Sequence, residues 1–404
     1  MTLANRPPMG WNSWNYGLNE RNRADFSRIT EQSMLAQAQA MVDTGMLAAG
    51  YEYFVLDDGY QNARRDWQGR LQGHALRFRH GIPQLVEDVK ALGLKFGIYS
   101  VPGTLTCAQQ YDDYVAGDLG SLNHEQIDAQ AFAEWGIDFV KYDWCRAHLN
   151  DGLDPEVAFK KMADELRATG RDIVYSISEY GFWKPHEWAP KFTNMWRTTD
   201  DLFADWDSLL RTLDLQEPLY PYSRPGAWND PDMLQVGNGS LTSSENRAHF
   251  FLWAVLNAPL MAGNDLTRMT DEVRDLLIHP GIIEIDQDWS GEQGKLTWRD
   301  GDLGSVEPKA WGAMEARFRA ATAPLRDALA AARSEALYDR RQGHAKLLLL
   351  RGVHSGYDGR MVLQGIDMEM EEGEIVALLG TNGAGKSTLL RTISGTLEAD
   401  RGAV

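Results

Sequence analysis

The strongest constraint on the fold is an alternation of short strand-like segments with helical ones over the first three quarters of the chain. Runs rich in β-branched and aromatic residues recur eight times, at residues 7–11, 51–57, 94–100, 137–143, 172–178, 194–199, 227–230 and 259–263. Between them lie segments with helical spacing of apolar residues, such as 31–50 and 124–136, each ending in glycine. This order predicts a (β/α)8 barrel over residues 1–290. A doubly wound sheet is the alternative, but no GxGxxG follows the first strand.

Charge and cysteine content exclude several classes of protein. The formal net charge of −18 argues against a nucleic-acid partner, because phosphate backbones are bound by faces rich in Lys and Arg. The first thirty residues lack a basic start with an apolar run, and no apolar stretch of about 18 residues occurs, so we expect no membrane span and a cytoplasmic location. Two cysteines are too few for a disulfide scaffold or a tetrahedral metal site. The oligomeric state stays open.

Charged side chains close four of the predicted strands. In a barrel, chemistry gathers where the carboxyl ends of the strands meet. A single Asp at such a position is more often a helix cap or a surface charge. Four acidic strand ends in one barrel favour a functional site instead, and its candidate residues are Asp57, Asp58, Lys141, Asp143, Glu179, Arg197, Asp200 and Asp201.

Two of these carboxylates suit glycoside hydrolysis, which needs one ionised carboxyl group and one that can give up a proton. Asp143 and Asp201 lie two strands apart in sequence and are expected to face one another across the barrel mouth. Lys141 points the same way as Asp143 in a strand and would keep it ionised as a nucleophile. The acid needs a drier or more negative site, and we expect the Asp200–Asp201 doublet to supply it.

Four tryptophans lie at or near predicted strand ends, namely Trp14, Trp144, Trp183 and Trp228. An aromatic face there can carry the apolar face of a sugar ring. The alternative for each is a place in the core.

Five motifs in this order resemble glycoside hydrolase family 27, the α-galactosidases and α-N-acetylgalactosaminidases. They are PPMGWNSWN, LDDGY, KYDWC, WRTTDDL and WNDPDML, and the resemblance covers about residues 5–300. It implies a (β/α)8 barrel and a retaining double-displacement mechanism without a cofactor or metal, acting on a small carbohydrate substrate. Retention would place the two catalytic carboxyl groups about 5 to 5.5 Å apart.

The resemblance also implies roles for individual residues. Asp143 would be the nucleophile and Asp201 the acid/base. The positions implied to hold galactose are Trp14, Asp57, Asp58, Tyr99, Lys141, Glu179, Arg197 and Asp232. Cys107 and Cys145 match the positions of a family disulfide, with a pair of reduced thiols as the alternative in a cytosolic protein.

Departures from the family pattern border the sugar site and leave the exact sugar open. Gly59 and Tyr60 stand where the family usually has Cys-Trp, and Ser178, Glu179 and Tyr180 where it usually has Cys-Glu-Trp. α-N-Acetylgalactosaminidase, β-L-arabinopyranosidase and isomaltodextranase activities are therefore alternatives, although Asp58 favours galactose by resemblance. The family pattern fades after residue 304, where an antiparallel β-domain normally begins, so we expect that domain to be missing.

The last part of the chain has a different composition and a second motif. Residues 312–404 contain no Trp, and residues 291–345 are predicted to form a partly helical connector. Residues 346–380 alternate as strands do and run into a Gly-rich loop. GTNGAGKST (380–388) fits the phosphate-binding loop GxxxxGK[ST] through Gly380, Gly385, Lys386 and Ser387, followed by Thr388. Tyr357 lies upstream, where it is expected to stack on an adenine.

Residues 346–404 resemble the start of an ABC transporter ATPase of the branched-chain amino acid type. Sixteen residues follow the motif, and they contain neither the acidic strand that helps to hold Mg²⁺ nor the signature sequence nor the glutamate that activates water. We therefore expect at most weak binding of ATP and Mg²⁺, without hydrolysis. The competing hypotheses are an ATP-binding transport component with an attached sugar-binding barrel, and an inactive lectin-like barrel. The intact Asp143–Asp201 pair favours the glycosidase.

Overall fold

The chain divides into two compact units, residues 1–295 and 296–404. The computed structural model describes residues 3–19, 23–288, 290–295, 346–357, 360–371, 386–393 and 401–403. Most of the predicted connector, residues 296–345, lies outside the described residues.

Eight parallel strands form the sheet of the first unit, and each lies within or one residue beyond a segment that the sequence predicted. They are β1 (Met9–Asn12), β2 (Tyr53–Leu56), β3 (Lys95–Ser100), β4 (Phe139–Asp143), β5 (Val174–Ser178), β6 (Met195–Arg197), β7 (Trp228–Asp230) and β8 (Leu260–Ala262). Their order in the sheet is β7-β6-β5-β4-β3-β2-β1-β8. Just beyond β7, the amide of Leu234 donates to the carbonyl of Met261 in β8 at 2.8 Å, which links the two ends of the sheet. The strands close into the predicted (β/α)8 barrel.

Helices separate the strands along the chain. Those described in this unit are α1 (Ser13–Tyr16), α2 (Glu31–Asp43), α3 (Gly81–Ala91), α4 (Cys107–Tyr111), α5 (Glu125–Glu134), α6 (Ala147–Asn150), α7 (Pro155–Ala168), α8 (Pro185–Trp188), α9 (Trp206–Gln216), α10 (Ser243–Val255), α11 (Asp271–Leu277) and α12 (Pro280–Asp286). None of the helices in the described part of the chain is long and apolar enough to cross a membrane.

Local sequence features explain where α5 ends and where α2 begins. α5 ends before Gly136, whose φ of +79° lets the Ile137 amide reach back to the Phe132 carbonyl at 3.0 Å. α2 begins at a capping box of Thr30 and Ser33. It stops at Asp43, earlier than the predicted segment, which ran to residue 50.

Alternation along the strands divides their side chains between two cores. Outward residues such as Phe54, Phe96 and Trp196 pack in the large cluster that includes the helices. Inward residues form a separate apolar cluster inside the barrel, whose buried members are Tyr53, Val55, Phe139, Val174, Met195, Trp228 and Met261. We call this set the interior plug.

The second unit contains a small antiparallel sheet of order β10-β9-β11. Its elements are β9 (Lys346–Tyr357), β10 (Arg360–Glu371), α13 (Lys386–Ile393) and β11 (Arg401–Ala403). Leu389 of α13 packs with Leu350, Val353 and Leu363 of the β9–β10 hairpin. The strands predicted from the alternation after residue 346 are thus present.

Candidate active site

A cavity of about 1510 Å³ opens at the carboxyl ends of the barrel strands. Parallel strands present their last residues and following loops at one end, so side chains distant in sequence meet there. The predicted site residues that line the cavity are Trp14, Asp57, Asp58, Tyr99, Lys141, Asp143, Arg197, Asp201 and Asp232.

Asp143 lies buried at the end of β4, at the wall of the cavity. Its Oδ1 accepts hydrogen bonds from the Trp144 amide at 2.9 Å and the Tyr180 hydroxyl at 2.5 Å. Burial raises the pKa of Asp143 to about 6, against the lowering effects of Lys141 and of the Tyr180 hydrogen bond. The carboxyl group is therefore mostly ionised at neutral pH, as a nucleophile must be.

Lys141 makes its ion pair with Asp57 rather than with Asp143. Its Nζ lies 2.8 Å from Asp57 Oδ2, an oxygen that also accepts from Asn12 Nδ2 at 2.7 Å. Burial opposes the charged form of Lys141, but Asp57 and Asp143 outweigh it and raise its pKa. Lys141 therefore favours the ionised form of Asp143, as predicted, but through its charge at longer range and not through a direct ion pair.

Asp201 sits at the mouth of the cavity, with a side chain that is 60% exposed. Its Oδ1 accepts from Arg197 Nη2 at 3.2 Å, and the same nitrogen lies 3.0 Å from Asp232 Oδ2. The drier site that the sequence predicted as one of two options for this carboxyl group is therefore absent from the free protein. Arg197, the inward-facing last residue of β6, places a positive charge beside Asp201, which opposes the predicted like-charge effect of Asp200.

Asp58 and Asp232 are buried carboxylates held by backbone amides. Asp58 accepts from the amides of Gly59 and Ala108, both at 2.7 Å, and burial raises its pKa to about 7. Asp232 accepts from the amides of Met233 at 2.7 Å and Leu202 at 2.8 Å. Both side chains are fixed before any ligand arrives, which favours tight recognition of hydroxyl groups.

A disulfide joins Cys107 and Cys145 beside the nucleophile candidate, with their Cα atoms 4.9 Å apart. It ties the first residue of α4 to the loop after β4, and the Tyr99 hydroxyl lies 3.2 Å from Cys145 Sγ. The two sulfurs and the Asp143 carboxylate form a group close enough for metal ligation, but bonded sulfurs offer no thiolate. The disulfide opposes the prediction of a cytoplasmic location, which stays untested.

Comparison with known proteins identifies the family. The profile of the alpha galactosidase A family (Melibiase_2) matches residues 6–288. The chain belongs to this family. Alpha-galactosidase 2 of Arabidopsis thaliana is 42% identical over 302 residues, which cover 74% of this chain and 72% of the plant protein. Alpha-galactosidase A of Homo sapiens is 38% identical, covering 74% and 70%. Among solved structures, alpha-galactosidase I from Mortierella vinacea has a TM-score of 0.68 at 33% identity, covering 74% and 77%.

Glu179, which the family resemblance implied as a galactose contact, lies off the cavity in the free protein. It does not line the cavity; it is buried and its Oε2 accepts from the Trp183 amide at 2.9 Å. Burial raises the pKa of Glu179 to about 8. Ser176 and Ser178 line the barrel interior, so strand alternation turns Glu179 away from it.

Tyr180 takes the place on the cavity that the melibiase motif had suggested for Glu179. It was not among the predicted residues, and strand alternation alone does not place it there, because β5 ends at Ser178 and Tyr180 has a φ of +65°. Asn12 and Asp230 were missed as well. Asp230 lines the barrel interior, accepts from the Asp232 amide at 2.9 Å, and has a pKa raised by burial to about 6.

The four tryptophans considered as sugar contacts divide into two pairs. Trp14 and Trp183 line the cavity with part of their surface exposed. Trp228 is fully buried in the interior plug, and Trp144 is 1% exposed although it borders the cavity. The core alternative therefore applies to Trp228 and largely to Trp144.

A second family profile, ABC transporter, matches residues 363–404. Of the predicted phosphate-binding loop, Lys386, Ser387 and Thr388 form the first turn of α13. Gly380 and Gly385 lie outside the described residues. Tyr357 ends β9. Nucleotide binding stays a prediction.

Proposed function

We propose that this protein hydrolyses terminal α-linked galactose from oligosaccharides or glycoconjugates with retention of configuration. The supporting observation is the unequal pair of carboxylates on one cavity. Asp143 is buried and held by two donors, whereas Asp201 is exposed at the mouth. Family membership and the alpha-galactosidases that cover most of the barrel support galactose as the sugar.

In the first step, Asp143 attacks the anomeric carbon while Asp201 donates a proton to the glycosidic oxygen. The bond between that carbon and oxygen breaks, the leaving group departs as an alcohol, and a galactosyl ester forms on Asp143. Because Tyr180 and Trp144 both donate to Oδ1, Oδ2 is the oxygen that attacks.

In the second step, Asp201 removes a proton from water, and the water oxygen attacks the anomeric carbon. The ester bond breaks and Asp143 returns as a carboxylate. Its hydrogen bonds to Tyr180 and Trp144 stabilise the charge that reappears, which favours release of the sugar. The reaction needs no group beyond these side chains and water.

The sugar itself is proposed to lie among the fixed polar groups around Asp143. Asp58 would accept hydrogen bonds from the axial 4-hydroxyl and the 6-hydroxyl, and the Asp57–Lys141 pair would hold neighbouring hydroxyls. The remaining proposed contacts are Trp14, Tyr99, Arg197 and Asp232, all on the cavity. Glu179 is not proposed as a contact, because its carboxyl group binds the Trp183 amide away from the cavity.

The test is release of p-nitrophenol from its α-galactoside by the wild type, by Asp143→Ala and by the control Asp164→Ala. Asp164 is an exposed carboxylate on α7. We expect the control to match the wild type and Asp143→Ala to lose a factor of roughly a thousand or more. Proton NMR of the first product should show the α-anomer of galactose. Turnover that survives Asp143→Ala, or a β-anomer as first product, would contradict the mechanism.

For the second unit we propose at most weak binding of ATP and Mg²⁺ at Lys386 and Ser387. The support is the ABC transporter match together with a helix that begins at these residues. Calorimetric titration of the full chain with ATP and Mg²⁺ should show heat that Lys386→Ala abolishes. ATP turnover by the wild type that is lost in the same variant would favour the transport hypothesis instead.

A further inference from the structure

The acid/base candidate Asp201 has few contacts of its own that fix its position. Its side chain is 60% exposed, and within the described part of the chain its carboxylate accepts one hydrogen bond, from Arg197 Nη2 at 3.2 Å. An ion pair with one exposed partner holds a side chain only weakly. Proton transfer nevertheless requires the carboxyl group to lie within hydrogen-bond reach of the glycosidic oxygen. The backbone that carries Asp201 must therefore set its position.

Both backbone polar groups of the next residue, Leu202, are bound by side chains of another loop. The Leu202 amide donates to Asp232 Oδ2 at 2.8 Å, and the Leu202 carbonyl accepts from Gln235 Nε2 at 2.7 Å. Asp232 and Gln235 follow β7, whereas Asp201 and Leu202 follow β6. We call these two hydrogen bonds the Leu202 clamp. The clamp fixes the peptide directly after the acid/base.

The same two loops approach each other closely a few residues further on. Gly239 has a φ of +57°, and a Cβ there would lie 2.4 Å from the Cβ of Ala204. The Ser240 amide donates to the Ala204 carbonyl at 3.3 Å. Only glycine fits at such a contact. The loop that carries Asp201 is thus packed against the loop after β7 over several residues.

One face of α10 holds the loop after β7 in turn. Three buried side chains of this helix lie three and four residues apart, which places them on the same face. Each bonds a backbone group of the loop: Asn246 Oδ1 accepts from the Gly237 amide at 2.9 Å, His249 Nε2 accepts from the Gln235 amide at 2.9 Å, and Trp253 Nε1 donates to the Asp232 carbonyl at 2.8 Å. Both residues of the clamp are therefore supported at their backbone.

His249 is suited to act as a permanent acceptor. Its ring is fully buried and packs edge-on against Trp253, with centroids 4.2 Å apart. Burial lowers the pKa of His249 to about 3. Because Nε2 accepts the Gln235 amide, the proton of the neutral ring lies on Nδ1. The contact to Gln235 therefore persists over the whole pH range in which Asp143 is ionised.

We propose that Gln235 is a positioning residue for Asp201, which it holds at the glycosidic oxygen through the Leu202 clamp, and that His249 keeps Gln235 in place. This inference rests on the proposed function. Gln235 borders the cavity, but both ends of its amide are already engaged, since Oε1 accepts from Asn238 Nδ2 at 3.1 Å. It therefore acts on the reaction through Asp201 and not by binding the sugar.

The experiment uses two substrates with the same galactosyl half. The glucose of melibiose must be protonated to leave, whereas α-galactosyl fluoride releases fluoride without protonation. Comparing kcat/KM on the two isolates proton donation in the bond-breaking step. Melting temperatures show whether each variant is folded under the assay conditions.

The variants remove one contact at a time. Gln235→Met keeps the size of the side chain and removes the donor to Leu202, and His249→Leu removes the acceptor for the Gln235 amide. His249→Gln is the conservative partner, because the glutamine amide oxygen can accept near the position of Nε2. The control is Gln84→Met, since Gln84 is an exposed glutamine on α3 that donates to Asp88 at 3.0 Å and does not line the cavity.

We expect Gln235→Met and His249→Leu to lower kcat/KM for melibiose by about 10- to 100-fold, and that for the fluoride by no more than about twofold. His249→Gln should regain most of the activity on melibiose, and Gln84→Met should match the wild type. When Asp201 is already replaced by alanine, Gln235→Met should cost no more than about a further twofold on melibiose, because both changes remove the same function.

Three results would overturn the proposal: unchanged turnover of melibiose, a loss of the same size on the fluoride, or a full additional loss in the Asp201→Ala background. The last would show that Gln235 acts on the substrate directly. If Gln235→Met does not fold, the difference between His249→Leu and His249→Gln on the two substrates decides the question. A wild type that releases no fluoride would instead refute the proposed function, and the role of Gln235 with it.

Discussion

The two ends of the barrel interior are built from the same strands and have opposite character. In β4, Phe139, Lys141 and Asp143 all point inward because they alternate with outward residues. Phe139 belongs to the interior plug, where its ring packs 5.5 Å from that of Tyr53. Asp143, four residues further on, lies on the cavity. Four positions along one strand thus separate a residue that stabilises the fold from one that does chemistry.

The difference shows in how burial acts at each end. In the interior plug, burial stabilises the folded state by about 25 cal/mol for each Å² of apolar surface that is removed from water. At the other end, burial raises the pKa values of Asp143 to about 6, Asp58 to about 7 and Asp230 to about 6. These shifts mean that the folded protein holds charges at a cost in free energy. Stability and activity should therefore respond to different substitutions on the same strand.

The largest expected effect is on activity alone, from Asp201→Ala. We expect kcat/KM for melibiose to fall by roughly 10²–10⁴, because its leaving group needs a proton. α-Galactosyl fluoride should lose far less, since fluoride departs without protonation. The melting temperature should stay near that of the wild type, because Asp201 is exposed and Arg197 keeps Asp232 as a partner. Equal losses on both substrates would show that Asp201 is not the acid that protonates the leaving group.

The opposite end is tested by Phe139→Ala, which should reduce stability and leave chemistry intact. Removing a buried aromatic ring costs about 3–5 kcal/mol of unfolding free energy. Denaturation followed by Trp fluorescence reports mainly this unit, because 12 of the 14 Trp residues lie within residues 1–295. Wherever the variant is folded, kcat/KM should be within about twofold of the wild type. A large loss of kcat without a loss of stability would show that Phe139 contributes to catalysis, and would contradict the division of the barrel interior into a stabilising end and a catalytic end.

A smaller effect is expected from Tyr180→Phe, which keeps the ring and removes the hydroxyl that donates to Asp143. That hydrogen bond lowers the pKa of Asp143 and opposes burial. Without it the pKa rises above about 6, so the acidic limb of kcat/KM should move up by about one pH unit. Activity should fall near pH 6 and recover near pH 8.

The control for this prediction is Tyr220→Phe, an exposed tyrosine that does not line the cavity. Its pH profile should overlay that of the wild type. A loss for Tyr180→Phe that is the same at every pH would show that the hydroxyl does not act through the ionisation of Asp143.

The sequence predicts the fold well because local pattern and global topology coincide. Each strand is a short apolar run bounded by polar residues, and the carboxyl ends of parallel strands must converge, so Asp57, Asp143 and Arg197 were expected to meet. The position of Tyr180 on the cavity could not be predicted in this way, because β5 ends at Ser178 and Tyr180 has a left-handed φ of +65°. The exposure of Asp201 could not be predicted from the sequence either, since it depends on the conformation of the loop that follows Arg197. The phosphate-binding motif is local, and no converging set of distant residues supports it within the described part of the chain.

The smallest effect on turnover is expected from Glu179→Gln. Burial raises the pKa of Glu179 to about 8, above the value of about 4.3 for an unfolded chain. The folded state therefore binds the extra proton, and the contribution of Glu179 to stability is lost as pH rises from about 4.3 through 8.

Glutamine has nearly the same shape, accepts from the Trp183 amide and cannot ionise. At about 1.4 kcal/mol for each unit of pKa difference, the variant should gain several kcal/mol over the wild type at pH 8 and nothing near pH 4. Turnover of α-galactosyl fluoride should be unchanged, because the side chain faces away from the cavity. Unfolding curves at the two pH values and kinetics at neutral pH check both expectations. A hundredfold loss of turnover would instead restore Glu179 as a sugar contact and show that its carboxyl group turns into the cavity when galactose binds.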